Sequence, residues 1–122
     1  MIVIDTNIFI YHFLSHPDYG IQAKRLFLMI ESGELLAKAS FVTYAEILTL
    51  PARNKNDELI KKYRQLLLEF PNLEFCPINA PIAHRAALIR GEFPALKLMD
   101  AFILATAFEE KAEVLITEDK KL

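Results

Sequence analysis

The first eleven residues, "MIVIDTNIFIY" (1–11), decide how the fold begins. Ile2 to Ile4 form a short β-branched run without alternation, which is typical of a strand buried on both faces of a parallel sheet. Asp5, Thr6 and Asn7 follow at once, and such residues are favoured where a strand gives way to a helix. Asp5 therefore either ends the strand or is the first of several carboxylates that meet at one sheet edge.

Three later apolar runs resemble this strand: "LLAKA" at 35–39, "LEFCPI" at 73–78 and "VLIT" at 114–117. The segments between them have helical spacing and helix-ending or capping residues. These signals predict a helix that ends at Gly33, one after Ser40 that Pro51 bends or breaks, one over 56–70, one after Asn79, and one from near Lys97. Strands that alternate with helices predict an α/β/α sandwich with a mostly parallel sheet of four or five strands.

The composition suits one domain spanning residues 1–122, because 53% of the residues are hydrophobic and 25% are charged. No apolar stretch approaches the ~20 residues needed to span a bilayer, and the N-terminus lacks the features of a signal peptide. We therefore expect a cytoplasmic protein that makes no use of a membrane. The single cysteine, Cys76, lies in an apolar run and is expected to pack as a small buried side chain.

The net charge of −2 does not favour nucleic-acid binding by bulk positive potential. If four of the 16 acids bind metal, however, 12 remain against 14 lysines and arginines, and the rest of the surface carries +2. Two basic groups could contact phosphates or simply face solvent: Arg85, Arg90 and Lys97, and separately Arg53, Lys55, Lys61, Lys62 and Arg64.

Four acids stand out by position. Asp5 and Asp119 follow the first and last predicted strands, so both are expected at the carboxyl edge of the sheet, where parallel sheets bind ligands. Glu46 and Asp100 lie inside apolar helices, "VTYAEILTL" (42–50) and "LKLMDAFILATAF" (96–108). Because a buried ionised carboxylate needs a partner, a divalent cation would account for both. An all-oxygen ligand set suits Mg²⁺ or Mn²⁺, and converging carboxylates with such ions hydrolyse phosphodiesters.

Four blocks of the sequence resemble the PIN-domain nucleases, especially the small VapC-like toxins of prokaryotic toxin-antitoxin pairs. They are "VIDTN" (3–7), "YAEIL" (44–48), "LMDAFILATA" (98–107) and "LITED" (115–119), in the order of the family and spanning most of the chain. The resemblance implies a PIN-like fold and a Mg²⁺- or Mn²⁺-dependent endoribonuclease that acts on RNA. It also implies a homodimer and an antitoxin protein that blocks the site.

Carried over by position, the resemblance makes Asp5, Glu46, Asp100 and Asp119 the catalytic, metal-binding acids. Asn7, Thr6 and Thr117 are expected to orient them from outside the ligand set. Glu118 departs from the family, which commonly has an asparagine there. The chain also ends three residues after Asp119, where relatives usually continue through a short helix and an edge strand, so we expect Asp119 to be the least firmly held of the four.

Each acid also has a simpler interpretation. Asp5 could be a turn residue, Asp100 a partner of the helix dipole, Glu46 a half-exposed acid and Asp119 solvated charge near the terminus. Thr6 or Asn7 could cap a helix, and Thr117 needs no role beyond its strand. His12, His16 and His84 show no ligand spacing and are expected at the surface or in packing.

Two other functions compete with the nuclease. One is a domain of the same fold that binds RNA or a protein without catalysis. The other is a phosphotransferase with an aspartyl nucleophile, which would need a second acid where Asn7 stands and a glycine-rich phosphate loop that three scattered glycines cannot supply.

Overall fold

A computed structural model describes residues 1–117 of the chain. Its sheet has four strands, β1 (Ile2–Ile4), β2 (Ala37–Ser40), β3 (Leu73–Cys76) and β4 (Val114–Ile116). They are ordered β3-β2-β1-β4, and every neighbouring pair is parallel. The four apolar runs thus form the four strands, and the predicted α/β sandwich is confirmed with a fully parallel sheet over the described residues.

Six helices connect the strands: α1 (Thr6–Phe13), α2 (Gly20–Glu31), α3 (Phe41–Arg53), α4 (Asp57–Leu68), α5 (Ala80–Glu92) and α6 (Leu98–Glu109). Side chains cap several N-termini. Ser40, Asn56 and Asn79 each accept a hydrogen bond from a backbone amide in the first turn of α3, α4 and α5. These caps explain why those helices begin where the sequence predicts.

The helices cover the two faces of the sheet unequally. Ile2 and Ile4 of β1 belong to a core shared with α1 to α4, which is built around the aromatic rings of Phe9, Phe27 and Phe75. Val3, between them in the strand, has no exposed surface and faces the other side, because alternate strand residues point to opposite faces. There α6 contacts β1, β2 and β4, and α5 packs on α6.

Pro51 was expected to bend or break its helix, and the prediction of a break is wrong. Helix α3 continues through Pro51 to Arg53, and the proline ring is buried. Proline lacks the amide hydrogen of a normal helical residue, so the bond from position 51 to the Ile47 carbonyl is absent, and the helix continues for only two more residues. The amide of Asn56 then donates to the Pro51 carbonyl at 2.9 Å, which closes the chain after the helix. Gly33, in contrast, ends α2 as predicted, with a φ of +87°.

Within residues 1–117, no helix has both the length and the apolar character that a bilayer-spanning segment requires.

Candidate functional site

Asp5 is held at the carboxyl end of β1 by two short hydrogen bonds. Its Oδ1 accepts from the backbone amide of Thr6 at 2.6 Å, so Asp5 is itself the N-cap of α1. Its Oδ2 accepts from the Thr117 hydroxyl at 2.6 Å. Only 3% of the residue is exposed. Both carboxylate oxygens are therefore fixed by neutral donors, and the capping role does not compete with a second role.

The order of the strands explains why Thr117 reaches Asp5. Connections from β1 through β2 to β3 proceed to one side, whereas β4 lies on the other side of β1. The Asp5 amide donates to the Ile116 carbonyl at 3.0 Å, so β1 and β4 end side by side. Ligands of parallel sheets bind where the strand order reverses in this way. Asp5 and Thr117 thus lie at the topological switch point of the sheet.

Glu46 joins this edge through Thr6. Helix α3 starts directly after β2, and Glu46 lies in its second turn. The Thr6 hydroxyl donates to Glu46 Oε1 at 2.7 Å and lies 3.0 Å from the hydroxyl of Thr43. Glu46 is half-buried and Thr43 is fully buried. Thr6 therefore links the element that carries Asp5 to the helix that carries Glu46.

Asp100 lies at the same edge of the sheet because of the direction of α6. The residue after this helix, Glu110, pairs with Lys38 of β2 at 3.5 Å, and the Glu113 amide donates to the Met1 carbonyl at 3.0 Å. The C-terminal end of α6 thus lies near the beginning of β1 and β4, and its N-terminal turn lies toward the edge where these two strands end. Asp100, half-buried, lies in that first turn. The helix dipole there favours a negative charge.

The predicted site residues are thus placed unequally. Asp5 and Glu46 are joined by Thr6, Thr117 holds Asp5, and Asp100 lies in the helix turn at this edge. Asn7 is exposed and takes no part in the network among the described residues. Asp119 and Glu118 lie outside the described residues. Within residues 1–117, no three histidine, cysteine, aspartate or glutamate side chains come close enough together to surround a metal ion.

The donor chemistry at Asp5 and Glu46 fits a hard divalent cation. Each carboxylate oxygen has two acceptor lone pairs, so the hydrogen bonds from Thr6 and Thr117 leave others available. No lysine or arginine in the described part of the chain pairs with Asp5 or Glu46. Oxygen ligands oriented by neutral donors are what Mg²⁺ and Mn²⁺ use. Asp5 and Glu46 are the residues that would hold such an ion, with Asp100 within the same edge.

Thr43 is the site residue that sequence reasoning missed. It lies three residues before Glu46 and therefore on the same side of α3. That spacing was visible, but nothing in the sequence shows that Thr6 of α1 packs between the two side chains.

Cys76 and His12, which could in principle act as a nucleophile and a metal ligand, serve packing instead. Burial, and then the hydrogen bond from its Sγ to Glu110 Oε1 at 3.3 Å, raise the pKa of the Cys76 thiol to about 12, so it stays protonated at neutral pH. His12 stacks on Phe27 with ring centroids 4.7 Å apart, and burial followed by the charge of Lys24 lowers its pKa. Neither side chain belongs to the network at Asp5.

Two of the arginines that could contact phosphates already have partners. Arg85 Nε donates to Glu109 Oε1 at 2.7 Å, and its guanidinium lies 3.7 Å from the centre of the Phe108 ring. Arg90 Nε donates to the Leu96 carbonyl at 3.0 Å. Arg85 thus joins α5 to α6, and Arg90 joins α5 to the loop before α6, which lowers their value as phosphate contacts.

Several solved structures share this fold. A toxin-antitoxin complex from Klebsiella pneumoniae is 29% identical with a TM-score of 0.73, over 99% of this chain and 88% of that chain. VapBC2 from Rickettsia felis, bound to a promoter DNA fragment, is 24% identical with a TM-score of 0.76, over 99% and 90%. VapC20 of Mycobacterium tuberculosis, a sarcin-ricin loop cleaving toxin, is 17% identical with a TM-score of 0.76, over 98% and 91%.

The two less similar structures support the fold alone. No protein of curated function matches the chain. The model of the PIN domain, however, matches residues 2–122, which is nearly the whole chain. The chain therefore belongs to the PIN-domain family, whose members are generally nucleases, and it has the fold of the VapC toxins.

Proposed function

We propose that this protein is a Mg²⁺- or Mn²⁺-dependent endoribonuclease and the toxin of a toxin-antitoxin pair. Asp5, Glu46, Asp100 and Asp119 are its proposed catalytic, metal-binding acids. The observation that carries the proposal is the network at the sheet switch point, in which Thr117 and Thr6 fix two carboxylates without a cationic partner among residues 1–117. The PIN-domain match supports the same chemistry.

The arrangement favours phosphodiester hydrolysis over the competing functions. A bound divalent cation would supply an activated water and neutralise charge on the phosphoryl oxygens. The chain's own part is to hold Asp5 and Glu46 in fixed orientations and to keep their charges away from solvent. Such fixed ligands cost no reorganisation during the reaction. A domain that only binds RNA has no need of two carboxylates held in this way.

Removal of the metal tests this proposal. The purified protein should cleave single-stranded or structured RNA in Mg²⁺ or Mn²⁺, lose the activity in a chelator, and regain it when the metal is restored. Cleavage that continues undiminished in excess chelator would show that the acids have another purpose.

An apolar groove beside Glu46 supports the proposal that an antitoxin binds this protein. Its cavity of about 140 Å³ lies between α1, α3 and α4, and Glu46 is part of its wall. The side chains of Leu14 and Leu50 in this wall are 63% and 53% exposed. A partner segment bound there would cover apolar surface and a catalytic acid together, which is how an antitoxin would block the site.

A separate apolar face supports the proposed homodimer. Leu88 of α5, Phe93 directly after it and Phe108 of α6 are each more than half exposed, beside a cavity of about 670 Å³. Exposed apolar patches of this kind mark protein interfaces. Sedimentation velocity should therefore show a dimer for the isolated protein, and a monomer at micromolar concentration would contradict this part of the proposal.

A further inference from the structure

Two threonine hydroxyl groups lie in contact behind Glu46. Thr43 Oγ1 is 3.0 Å from Thr6 Oγ1, which is 2.7 Å from Glu46 Oε1. Thr43 has no exposed surface and Thr6 has 6%. A threonine in a helix could instead donate to the carbonyl four residues earlier, as Thr106 does to Phe102 in α6 at 2.8 Å. Thr43 therefore departs from the behaviour of the other fully buried helical threonine.

The number of available hydrogens decides which group donates and which accepts in each of these two hydrogen bonds. Each hydroxyl has one hydrogen and can donate one strong bond. A carboxylate that binds a cation is ionised and only accepts, so the Thr6 hydrogen points to Glu46. Thr6 Oγ1 must then accept from Thr43, since its own hydrogen is already used. The three groups form a one-way chain, from Thr43 through Thr6 to Glu46.

We propose that Thr43 is a positioning residue that fixes the Glu46 carboxylate for metal binding through the Thr6 hydroxyl. The inference rests on the proposed function, because it assigns Glu46 to the metal. Thr43 holds the Thr6 hydroxyl in one rotamer, and Thr6 in turn holds Glu46 Oε1 beside α1. Hydrogen bonds in such a chain also polarise and strengthen one another.

The hydrogen-bonded chain of Thr43, Thr6 and Glu46 also fixes the position of Glu46 relative to Asp5, the other proposed metal ligand. Thr6 directly follows Asp5, and its backbone amide binds Asp5 Oδ1 while its hydroxyl binds Glu46 Oε1. One residue thus orients both carboxylates. Thr43 belongs to the same helix as Glu46, one turn earlier, so it holds Thr6 in place from the α3 side. Loss of the Thr43 hydroxyl leaves Thr6 free to rotate and the Glu46 carboxylate less well placed.

Calorimetric titration of the metal-free protein with Mn²⁺ tests the inference without relying on catalysis. Thr43→Val removes the hydroxyl and keeps the shape, and it should weaken Mn²⁺ binding by about 10-fold, at the lower end of outer-shell effects. Thr43→Ser should bind as the wild type does. Thr106→Val is the matched control, because it removes another fully buried hydroxyl and should leave the Mn²⁺ affinity unchanged.

A double-mutant cycle separates positioning from simple packing. If Thr43 acts through Thr6, the pair Thr6→Val with Thr43→Val should lose no more Mn²⁺ affinity than Thr6→Val alone. Additive losses would overturn the inference, as would an unchanged affinity of Thr43→Val. If Thr43→Val does not fold, as judged by circular dichroism, Thr43→Ala provides the same comparison.

The outcomes also distinguish this inference from the proposed function. Asp5→Asn should abolish Mn²⁺ binding whatever Thr43 does. If it does so while Thr43→Val binds normally, the metal site stands and only the positioning role is overturned. If the wild-type protein binds no Mn²⁺, the proposed function and the inference fall together.

Discussion

Thr117 directly follows β4 and donates a hydrogen bond to Asp5, so loss of its hydroxyl should weaken the proposed metal-dependent activity. Thr117→Val removes the donor 2.6 Å from Asp5 Oδ2, so that oxygen is left free to turn. We expect metal-dependent RNA cleavage to slow by about 10- to 100-fold, as for other groups that orient a ligand. Single-turnover cleavage measures this effect. Thr117→Ser should restore the rate, and Thr49→Val, at an exposed site on α3, should not change it.

An unaltered rate in Thr117→Val would mean that the hydrogen bond to Asp5 does not matter for catalysis.

Some of the single-residue roles at this site could be predicted from the sequence, and others could not. The end of a strand pointed to Asp5, an acid inside an apolar helix pointed to Glu46, and the resemblance to the PIN-domain nucleases pointed to Thr117. The different outcomes for Thr6 and Asn7 were hidden, because adjacent residues of a helix point about 100° apart and only one of them can face Glu46.

At the scale of elements, the end of α2 depends on a glycine. Gly33 has a φ of +87°, a region in which a side chain is strained, so Gly33→Ala should destabilise the protein by about 1–2 kcal/mol. Gly91 near the end of α5 is the matched control, since an added Cβ meets no atom within 4 Å. Gly91→Ala should instead stabilise by up to about 1 kcal/mol. Urea unfolding of both variants checks the two signs, and equal effects would contradict this account of the turn.

The elements were largely predictable because their signals are local. Continuous apolar runs marked all four strands, and Ser40 and Asn79 marked helix starts by their own side-chain chemistry. The helix break predicted at Pro51 is wrong because the effect of a proline depends on its position. A proline in the middle of a helix disrupts it, whereas Pro51 lies in the last turn with its ring buried in the fold.

At the scale of the whole molecule, the strand order could not be read from the sequence. A parallel sheet was predictable, but whether β4 joins at β3 or at β1 depends on how two further helices cross the sheet. Only the order β3-β2-β1-β4 brings Thr117 beside Asp5. The placement of Asp100 follows from the same crossing, because it sets the direction of α6. The position of Asp5, Glu46 and Asp100 at one edge of the sheet is therefore a property of the topology rather than of any one motif.

The proposed pairing with an antitoxin leads to a prediction about the whole protein in the cell. Expression of the chain should stop growth through RNA cleavage, and coexpression of the product of any small gene directly upstream should rescue it. Replacement of Leu14 and Leu50 by serine should reduce the rescue, because both line the apolar groove beside Glu46. Plate counts with and without the upstream gene measure this. Full rescue of the double serine variant would place the antitoxin elsewhere.

Carboxylates at the sheet switch point are proposed to hold a metal for RNA cleavage, and one assay tests this most directly. The rate of Mn²⁺-dependent RNA cleavage should be compared for the wild type, Asp5→Asn and Asp100→Asn, with Asp57→Asn as a control at an exposed acid on α4. Asparagine still caps α1 at position 5, so the fold should be retained. We predict losses above about 100-fold, beyond the effect of an outer-shell group, for the two site variants and none for the control. Undiminished cleavage by folded Asp5→Asn or Asp100→Asn would contradict the account.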